Sequence, residues 1–479
     1  MPLRFIGRHS QLNALQDFYA SPNGHLATVR GRRRVGKSTL LLHSLEAGRS
    51  AYHQAAQLTA EGNYARFHED MKEALSAQLP SGLASDIAQA QNWRSLLLAL
   101  GQAATELQRL TVIIDEFPYL SRSDTTLESV LQEALGRIES LGQPLKLVLC
   151  GSSISQMEAL LEHSSPLYGR SDLNLVLHPL DYLESAEFTP AWTPEQQVHA
   201  RTVFGGMPRY LNLLEDTLSV GENYERLVLN PDGPLHEETT RLLGAELSEP
   251  RVYASVLQAI ARGNTKAGEI ISASGIHPSS LPKYLERLEE LALVRRRRST
   301  NATPAARHLR YGLADPFIAS WYRYALPNLS GLKIRGAGGT WARLIAPTID
   351  SDPHAAPGIF EDISRHWTTL HMDDFWPGEH GEVGRIMQGS GDPAGEIDVA
   401  CLLGRGQQAS WLLGECKWKT QPQDGSVLHQ LQQNAAKLLE KERVHQWLLF
   451  SRAGFTAPFR GQRPASTRLV DLAELYARP

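Results

Sequence analysis

The sequence predicts an α/β protein of several domains, and three features of the chain lead to that prediction. At 479 residues it has room for about three domains of ordinary size. Near the N-terminus a glycine-rich loop lies between an apolar stretch and a helical one, and apolar stretches downstream end in polar residues. The C-terminal part carries further strand-like segments with acidic residues. Strands that alternate with helices are typical of parallel sheets covered by helices.

The composition of the chain excludes several classes of protein. Hydrophobic residues make up 42%, enough for ordinary cores. Lysine and arginine number 48 against 52 acidic residues, so the formal net charge is −4 and any nucleic-acid contact must come from a local basic patch. The 3 cysteines show no metal-ligand spacing. No apolar run approaches the ~18 residues of a membrane span. Since the N-terminus also lacks a signal-peptide core, we expect a cytoplasmic protein without membrane contact.

The glycine-rich loop, GRRRVGKST at residues 31–39, fits the phosphate-loop pattern G-x-x-x-x-G-K-[ST]. Residues 25–30 before it are predicted to form a buried strand, and residues 39–45 after it to begin a helix. A strand, a loop and a helix in this order are the context that the pattern requires. The segment therefore predicts a site for the phosphates of a nucleotide.

The chemistry of this loop follows from its residue types. The two glycines let the backbone curl, so that successive N–H groups point at phosphate oxygens, and the helix N-terminus adds partial positive charge. Lys37 is expected to reach the β- and γ-phosphates, and Ser38 to ligate Mg²⁺. The expected nucleotide contacts are Gly31, Arg34, Val35, Gly36, Lys37, Ser38 and Thr39.

Two acids end the next strongly apolar stretch. Residues 110–117, LTVIIDEF, are predicted to form a central parallel strand whose carboxyl end carries Asp115 and Glu116. Ligands of such sheets bind at that edge. We expect Asp115 to hold Mg²⁺ through water and Glu116 to polarise the attacking water.

Two further polar side chains are candidates for the same site. The predicted strand at residues 145–153 ends at Ser152 and Ser153, where a polar side chain would contact the γ-phosphate or the attacking water. Arg170 precedes another predicted strand, residues 173–177. Two interpretations stay open for Arg170: a finger that reaches the nucleotide of a neighbouring subunit, or an ion pair with an acid of its own chain.

These segments resemble the archaeal-type ATPase family, an AAA-like and STAND-like branch of P-loop proteins. The resemblance rests on FIGR, GRRRVGKST, LTVIIDEF, CGSS and LYGR, which occur in the family's order within the N-terminal third. It implies a P-loop ATPase core over residues 1–180, with ATP and Mg²⁺ as cofactors. ATP is also favoured over GTP because the sequence contains no N-K-x-D segment.

Residues 181–250 are predicted to form a helical lid. Within it, GGMPRYL at residues 205–211 is explained by one helix that ends at the glycines and another that begins at Pro208. The same string resembles the lid motif of the family, in which the proline turn faces the nucleotide. On that resemblance Arg209 would sense the γ-phosphate, and lid closure would be the switch.

Residues 251–330 are predicted to form a winged helix-turn-helix, in which three helices precede a two-stranded wing with Asn301 and Pro304 in its turn. We expect the four arginines at positions 295–298 to contact DNA phosphates. The mixed charge of the third helix argues against strong base readout. The alternative is a structural domain with a solvated basic hairpin. The expected helices are residues 252–262, 266–273 and 281–293, and the expected strands are residues 293–298 and 309–313.

A second group of chemically active residues lies near the C-terminus. Residues 396–401 and 411–418 alternate as two strands of a hairpin. If the hairpin turns at its Gly-Arg-Gly sequence, Asp398 lies opposite Glu415, with Lys417 on the same face. Two carboxylates and a backbone carbonyl can hold a hard divalent cation, Mg²⁺ or Mn²⁺, and the lysine would help to position or deprotonate a bound water.

This arrangement resembles the PD-(D/E)XK nuclease superfamily, and also the C-terminal domain that often follows archaeal-type ATPases, where a similar EIDV…GECKW occurs. It implies a restriction-nuclease-like α/β domain over residues 340–479, after a glycine-rich linker at residues 330–339. The two acids and the lysine would then carry phosphodiester cleavage, with Glu361 on a predicted helix as a further metal ligand. The alternatives are a salt bridge between strands and a nuclease fold without activity.

Together these features predict a Mg²⁺-dependent ATPase that handles and cleaves DNA. Two other functions stay open. One is an ATP-operated switch that regulates DNA or a partner without cutting, and the other is a defence or mobile-element effector that fires on a protein trigger. A homo-oligomer follows if Arg170 acts between subunits.

Overall fold

The computed structural model describes residues 4–301, 309–387, 395–406, 409–439 and 443–477. The chain packs into two compact units: residues 1–180 with 207–212, and residues 181–206 with 213–479. Most of the predicted lid, winged helix and nuclease-like domain therefore belongs to one unit, and their separation into domains stays a prediction. The predicted turn residue Pro304 lies outside the described residues. Among the helices of the described part, none combines the length and apolarity needed to span a bilayer.

The first unit is built on a parallel sheet with the strand order β2-β3-β4-β1-β5. Its strands are β1 (Leu26–Gly31), β2 (Ser50–Gln54), β3 (Leu110–Asp115), β4 (Leu145–Gly151) and β5 (Leu173–Leu177). All residues of β3 and β4 are buried, as expected for parallel strands covered on both faces. The carboxyl ends of β1, β3 and β4 meet at one edge, which brings the phosphate loop beside the two acids.

Helices on the faces of this sheet are set by local signals. α5 begins with a capping box between Asn92 and Ser95. β3 ends earlier than predicted, because Glu116 adopts a left-handed conformation (φ 55°) and α6 begins at the next residue. The helices are α1 (His9–Ala20), α2 (Lys37–Ser44), α3 (Ala60–Leu75), α4 (Ser81–Ala88), α5 (Trp93–Glu106), α6 (Phe117–Ser123), α7 (Leu127–Ser140) and α8 (Ile154–Ala159). α9 (Tyr182–Ala186) and α10 (Pro194–Phe204) belong to the second unit, and α11 (Pro208–Leu211) returns to the first.

The second unit begins with helices. They are α12 (Val220–Tyr224), α13 (Glu238–Glu246), α14 (Pro250–Ala261), α15 (Ala267–Ser274), α16 (Leu281–Glu290), α17 (Pro316–Ser320), α18 (Leu329–Arg335), α19 (Ala346–Ile349), α20 (Ala356–Leu370), α21 (Met372–Phe375), α22 (Ser426–Leu438), α23 (Ala457–Gln462) and α24 (Leu472–Leu475). Short π-helical turns lie at Glu225–Leu229, Trp321–Ala325 and Trp341–Ile345, and a 3-10 turn at Leu326–Asn328.

Two boundaries in this region differ from the predictions. α16 ends earlier than predicted, because Ala292 adopts a left-handed conformation (φ 49°) that a helix cannot continue through. Part of the predicted linker is the helix α18, whose Leu332 is buried. After α14, α15 and α16 the antiparallel pair β6 (Val294–Arg297) and β7 (Arg310–Leu313) follows.

The rest of the second unit is a mixed sheet with the order β12-β11-β10-β9-β8. Its strands are β8 (Gly384–Ile386), β9 (Ile397–Leu403), β10 (Ser410–Lys417), β11 (Val444–Ser451) and β12 (Thr467–Asp471). β8, β9 and β10 run antiparallel, whereas β10, β11 and β12 run parallel. α22 buries Leu431 in one cluster with Trp411 and Leu413 of β10, and α20 packs on β9 and β10. These contacts fix the hairpin that carries the predicted carboxylates.

Candidate functional site

The phosphate loop connects β1 to α2 and encloses a lysine. The Nζ atom of Lys37 donates to the carbonyl oxygens of Gly31 (2.8 Å) and Arg32 (3.1 Å), and the side chain is buried. Gly36 has a left-handed backbone (φ 93°). A Cβ at Gly31 would lie 2.5 Å from the carbonyl oxygen of Leu177, so only glycine fits there. The ammonium is therefore held at the N-terminus of α2, where phosphate groups bind.

A hydroxyl and a carboxylate meet beside this loop. The Ser38 hydroxyl donates to Oδ2 of Asp115 at 2.5 Å, and the Tyr52 hydroxyl donates to the same oxygen at 2.8 Å. Oδ1 of Asp115 accepts from the backbone N–H of Glu116 at 2.9 Å. Burial and the neighbouring Asp115 raise the pKa of Tyr52, so the phenol stays a donor. A serine hydroxyl and a buried carboxylate are the groups that hold Mg²⁺ in P-loop sites.

The carboxylate of Glu116 is bound by Ser152, which directly follows β4. The Ser152 hydroxyl lies 2.9 Å and 2.8 Å from the two carboxylate oxygens of Glu116, and the Ser152 N–H is 3.4 Å from one of them. Ser152 is buried. The contact of Ser152 with the γ-phosphate or the attacking water stays a prediction; what the structure shows is its contact with Glu116.

Residues from outside the loop support it on two sides. Arg8, at a left-handed position (φ 63°), donates to the carbonyl oxygens of Val35 at 3.1 Å and of His178. The Phe5 ring stacks on His43 of α2, with ring centroids 4.1 Å apart. The FIGR segment thus anchors the loop and the helix that follows it.

The GGMPRYL segment reaches the loop through its proline. Pro208 Cγ lies 3.6 Å from where a Cβ at Gly36 would be, and Pro208 belongs to the same unit as the loop. Arg209 is exposed, and its contact with a γ-phosphate stays a prediction. Arg170 forms an ion pair with Glu139 at 3.8 Å and packs against Gly136 of α7. The contacts of Arg170 within its own chain therefore agree with the ion-pair interpretation. Its contact with the nucleotide of a neighbouring subunit stays a prediction.

The C-terminal hairpin brings the predicted carboxylates together. Val399 pairs with Gly414 in the β9–β10 register, so the next residues along, Asp398 and Glu415, are opposite each other. Oδ2 of Asp398 accepts from the backbone N–H of Cys416 at 2.9 Å, which places the carboxylate beside the peptide that follows Glu415.

The charges of this hairpin face one another in a buried setting. Lys417 Nζ lies 2.5 Å from Oε1 of Glu415, and Oε2 of Glu415 is buried without a hydrogen-bond partner among the described residues. Burial and the charge of Glu415 raise the pKa of Asp398 to about 6. Burial also raises the pKa of Glu415. Burial would lower the pKa of Lys417, but the Glu415 carboxylate outweighs it and the pKa is raised.

Glu361 lies nearby on α20 but is held by arginines. Its carboxylate pairs with Arg385 at 3.1 Å and with Arg365 at 3.6 Å. Arg365 also donates to the Asp398 carbonyl oxygen at 2.7 Å. Burial and Asp398 raise the pKa of Glu361 to about 7. Across the described residues, His, Cys, Asp and Glu side chains form no group of three suited to a metal ion, so a cation here would rely on two carboxylates, a backbone carbonyl and water.

The four wing arginines differ in their surroundings. Arg295 pairs with Asp362 of α20 at 2.5 Å, and Arg296 pairs with Glu289 of α16 at 2.6 Å. Arg297 points inward, with a buried Nε atom. Arg298 remains exposed. Two of the four arginines are thus paired with acids of their own chain, and the expectation that all four contact DNA stays a prediction.

Comparison with known proteins decides the family. Residues 5–214 match a family described as an ATPase domain predominantly from Archaea. The Methanocaldococcus jannaschii protein named Uncharacterized protein MJECL04 is 30% identical over 330 residues, which cover 69% of this chain and 70% of that protein. The chain belongs to this archaeal-type ATPase family. It is an ATPase, with the matching domain at residues 5–214.

Two solved structures are similar to this archaeal-type ATPase. A Walker-type ATPase of Pyrococcus abyssi has 22% sequence identity and a TM-score of 0.46, covering 67% of this chain and 96% of its own. The ORC2 protein of Aeropyrum pernix, in ADPNP–ADP complexes, has 18% identity and a TM-score of 0.47, covering 70% of this chain and 96% of its own.

Several side chains beside the candidate nucleotide site and beside the carboxylate pair of this ATPase were not predicted from the sequence. Tyr52, which lies on β2, was not predicted as a partner of Asp115. Only the sheet order, which puts β2 beside β3, reveals the contact. Arg365 and Arg385 were not predicted either, because no local sequence pattern shows that α20 and β8 lie beside the carboxylates of the β9–β10 hairpin.

Proposed function

We propose that this ATPase cleaves DNA in a Mg²⁺-dependent reaction at the carboxylate pair of its C-terminal sheet. The observation that carries the proposal is the facing of Asp398 and Glu415 across β9 and β10, with Lys417 bound to Glu415. Desolvation and the charge of the buried Glu415 together raise the pKa of the half-buried Asp398, which indicates that the two carboxylates repel each other. Such an arrangement is costly without a cation, and it is typical of a functional site.

The donor set supports a hard divalent cation. The Oε2 atom of Glu415 is buried and has no partner among the described residues, which leaves an acceptor for a metal. Asp398 and Glu415 would hold the ion with the Cys416 carbonyl, and Glu361 would act through water. Mg²⁺ is commonly bound by one or two carboxylates and several waters. When bound, such an ion lowers the pKa of a coordinated water and offsets charge on the scissile phosphate.

The lysine has a distinct role in this proposal. Its ion pair with Glu415 keeps the side chain mostly buried, with 19% exposed, and raises its pKa. A protonated lysine positions the attacking water and balances charge on the phosphate, rather than removing a proton. Arg365, bound to the Asp398 carbonyl oxygen, fixes the strand that carries the acid.

The ATP site would supply control. Lys37 and Ser38 would bind the phosphates and Mg²⁺, Asp115 would hold the ion through water, and Glu116 would orient the attacking water. Pro208, in contact with the phosphate loop, connects the loop to the lid segment. A lid that closes on ATP and relaxes after hydrolysis is the switch that we infer.

DNA is the proposed partner through the winged helix. The order α14, α15, α16, β6 and β7 supports this assignment. Since Arg295 and Arg296 pair with acids of their own chain, the exposed Arg298 is the wing arginine that we propose for a DNA phosphate at the surface.

A cleavage assay with matched lysine variants tests the proposal. Labelled duplex DNA is incubated with Mg²⁺ or Mn²⁺ and the wild type, Lys417→Ala or Lys419→Ala. Lys419 is exposed two positions further along the chain, so it controls for charge and position. We expect Lys417→Ala to lose cleavage and Lys419→Ala to keep it. Equal cleavage by all three proteins would refute the assignment.

A further inference from the structure

A cavity in the second unit is lined largely by arginines. It lies between the β6–β7 hairpin and the N-terminal half of α20 and has a volume of about 160 Å³. This is room for a phosphate group together with some water. Five guanidinium groups and three carboxylates face it, which leaves an excess of positive charge. The charged lining residues are Arg295, Arg297, Arg310, Arg323, Arg385, Glu361, Asp362 and Glu396.

The carboxylates of the cavity are all paired with arginines, and Arg365, which does not line the cavity, pairs with both Asp362 and Glu361. Asp362 binds Arg295 at 2.5 Å, and Glu361 binds Arg385 at 3.1 Å. Glu396 lies 3.4 Å from Arg310. Arg323 is occupied by backbone, since its guanidinium donates to the carbonyl oxygens of residues 261 and 354.

Arg297 differs from these neighbours. Among the ion pairs of the described residues it takes part in none, and its Nε atom is buried without a hydrogen-bond partner. Burial and the charges of Arg295 and Arg385 lower its pKa to about 10. Asp362 and Glu361 act on it in the opposite direction without forming an ion pair with it. A half-buried cation with like charges close by and no ion pair of its own is costly to keep. The Nε atom of Arg295 is also buried and unpartnered.

The fold makes room for this arginine. A Cβ at Gly312 would lie 2.7 Å from Nε of Arg297 and 3.0 Å from its Cζ. Gly312 pairs with Arg295 in the β6–β7 register, so the guanidinium crosses the opposite strand at the one residue without a side chain. Any larger residue at 312 would press the guanidinium out of its place.

We propose that this cavity is a phosphate-binding site, in which the Arg297 guanidinium, supported by Arg295 and Arg385, holds a phosphate group of a nucleic acid strand. Guanidinium groups bind phosphate oxygens through charge-assisted hydrogen bonds. The cavity shares Glu361 with the carboxylate site, so a strand held here would lie beside the acids of the β9–β10 hairpin. The binding does not depend on cleavage, because it uses none of the carboxylate pair's chemistry.

Calorimetric titration with inorganic phosphate tests this site. The experiment uses the full chain carrying Lys37→Ala, so that the phosphate loop does not contribute, at constant ionic strength. In this background Arg297→Gln and Gly312→Ala are compared with Arg298→Gln, the exposed arginine next in sequence. We expect the first two to weaken phosphate binding by about tenfold or more, as for the loss of a hydrogen bond to a charged group. Arg298→Gln should change the affinity by less than about twofold.

Two further measurements keep the outcome decisive. Thermal melting in phosphate-free buffer should show that Arg297→Gln is no less stable than its parent, since it removes an unpaired buried charge; a large loss of stability would mark Arg297 as structural and overturn the proposal. A short single-stranded oligonucleotide is then added before the titration with inorganic phosphate. If the oligonucleotide weakens phosphate binding, the site accepts a nucleic acid strand; if it does not, the site binds free phosphate only and the proposal of a bound strand is overturned. Wild-type affinity in Arg297→Gln, or an equal loss in Arg298→Gln, overturns the site.

Discussion

The Ser152 hydroxyl lies within hydrogen-bond distance of both carboxylate oxygens of Glu116, at 2.9 Å and 2.8 Å. The two residues end neighbouring strands of the parallel sheet, β4 and β3. Glu116 leaves its strand with a left-handed backbone, which turns its side chain toward β4. We therefore propose that the serine orients Glu116, the candidate base, for ATP hydrolysis.

Replacing Ser152 by alanine should slow ATP hydrolysis more than it weakens ATP binding. Loss of one hydrogen bond to a charged group is worth roughly 1.5–3 kcal/mol, so we expect kcat to fall by about tenfold to about a hundredfold with little change in KM. Ser153→Ala is the matched control, because the Ser153 side chain makes no capping bond at the start of α8. Steady-state kinetics check both variants. A wild-type kcat in Ser152→Ala would contradict the orienting role.

Replacing Tyr52 by phenylalanine should raise the Mg²⁺ concentration that ATP hydrolysis requires. The tyrosine donates to the same Asp115 oxygen as Ser38, and loss of such a supporting partner typically weakens metal binding by about tenfold or more. Tyr64→Phe serves as control, since its hydroxyl binds the Ala90 carbonyl instead. The measurement is the ATPase rate against Mg²⁺ at saturating ATP. Identical Mg²⁺ curves for Tyr52→Phe and wild type would count against the contact.

The carboxylate pair predicts a characteristic pH dependence of stability. Folding raises the pKa of Asp398 from 3.8 to about 6, so this group's contribution is fully present below pH about 4 and is lost as the pH rises through about 6. At pH 8 in EDTA, the unfolding free energy of Asp398→Asn should therefore exceed that of the wild type by about 1–2 kcal/mol. At pH 4 the unfolding free energies of the two proteins should be equal.

Mn²⁺ distinguishes a metal site from a merely strained pair. We expect the divalent ion to raise the melting temperature of the wild type at pH 8 and to leave that of Asp398→Asn unchanged, because ligand binding stabilises only the folded state that holds it. Lys37→Ala in both backgrounds removes a contribution from the nucleotide site. Equal Mn²⁺ shifts in the two proteins would show that Asp398 is not a ligand.

An arginine network joins parts of the second unit that are distant in sequence. Arg452 binds Glu195 at 2.6 Å and Asp350 at 3.0 Å, and its Cζ atom lies 4.7 Å from the centroid of the Trp418 ring. We expect Arg452→Ala to lower the unfolding free energy by about 2 kcal/mol. Lysine should not restore it, because it lacks the planar fork.

Chemical denaturation measures this effect, with Arg405→Ala as the control. Arg405 is largely exposed although it pairs with Glu379, so its loss should cost less than about 1 kcal/mol. If both alanine variants lose the same unfolding free energy, the contacts of Arg452 stabilise the fold no more than an exposed ion pair does.

Local sequence predicted the parts of the fold that local chemistry determines. The phosphate loop, the acids after β3 and the hairpin register all follow from residues close in sequence. The turn between β9 and β10 places Asp398 opposite Glu415 as the spacing required. The predicted strand at residues 173–177 likewise has the bounds of β5.

Contacts between distant segments could not be predicted in the same way. The wing arginines were expected to contact DNA phosphates. In the structure, however, Arg295 forms an ion pair with Asp362, which lies far along the chain on α20. The Tyr52 contact depends on the sheet order, and Arg385 reaches Glu361 only because β8 is the edge strand beside β9. Left-handed residues such as Glu116 and Ala292 also ended elements where the periodicity continued.

The most direct test of the account is an incubation with supercoiled plasmid in which metal and ATP are varied independently. Wild type is predicted to nick or cut the plasmid in Mg²⁺ or Mn²⁺, whereas Asp398→Asn should leave it intact and still hydrolyse ATP at the wild-type rate. Cleavage by Asp398→Asn, or an intact plasmid with wild type in either metal with and without ATP, would contradict the account.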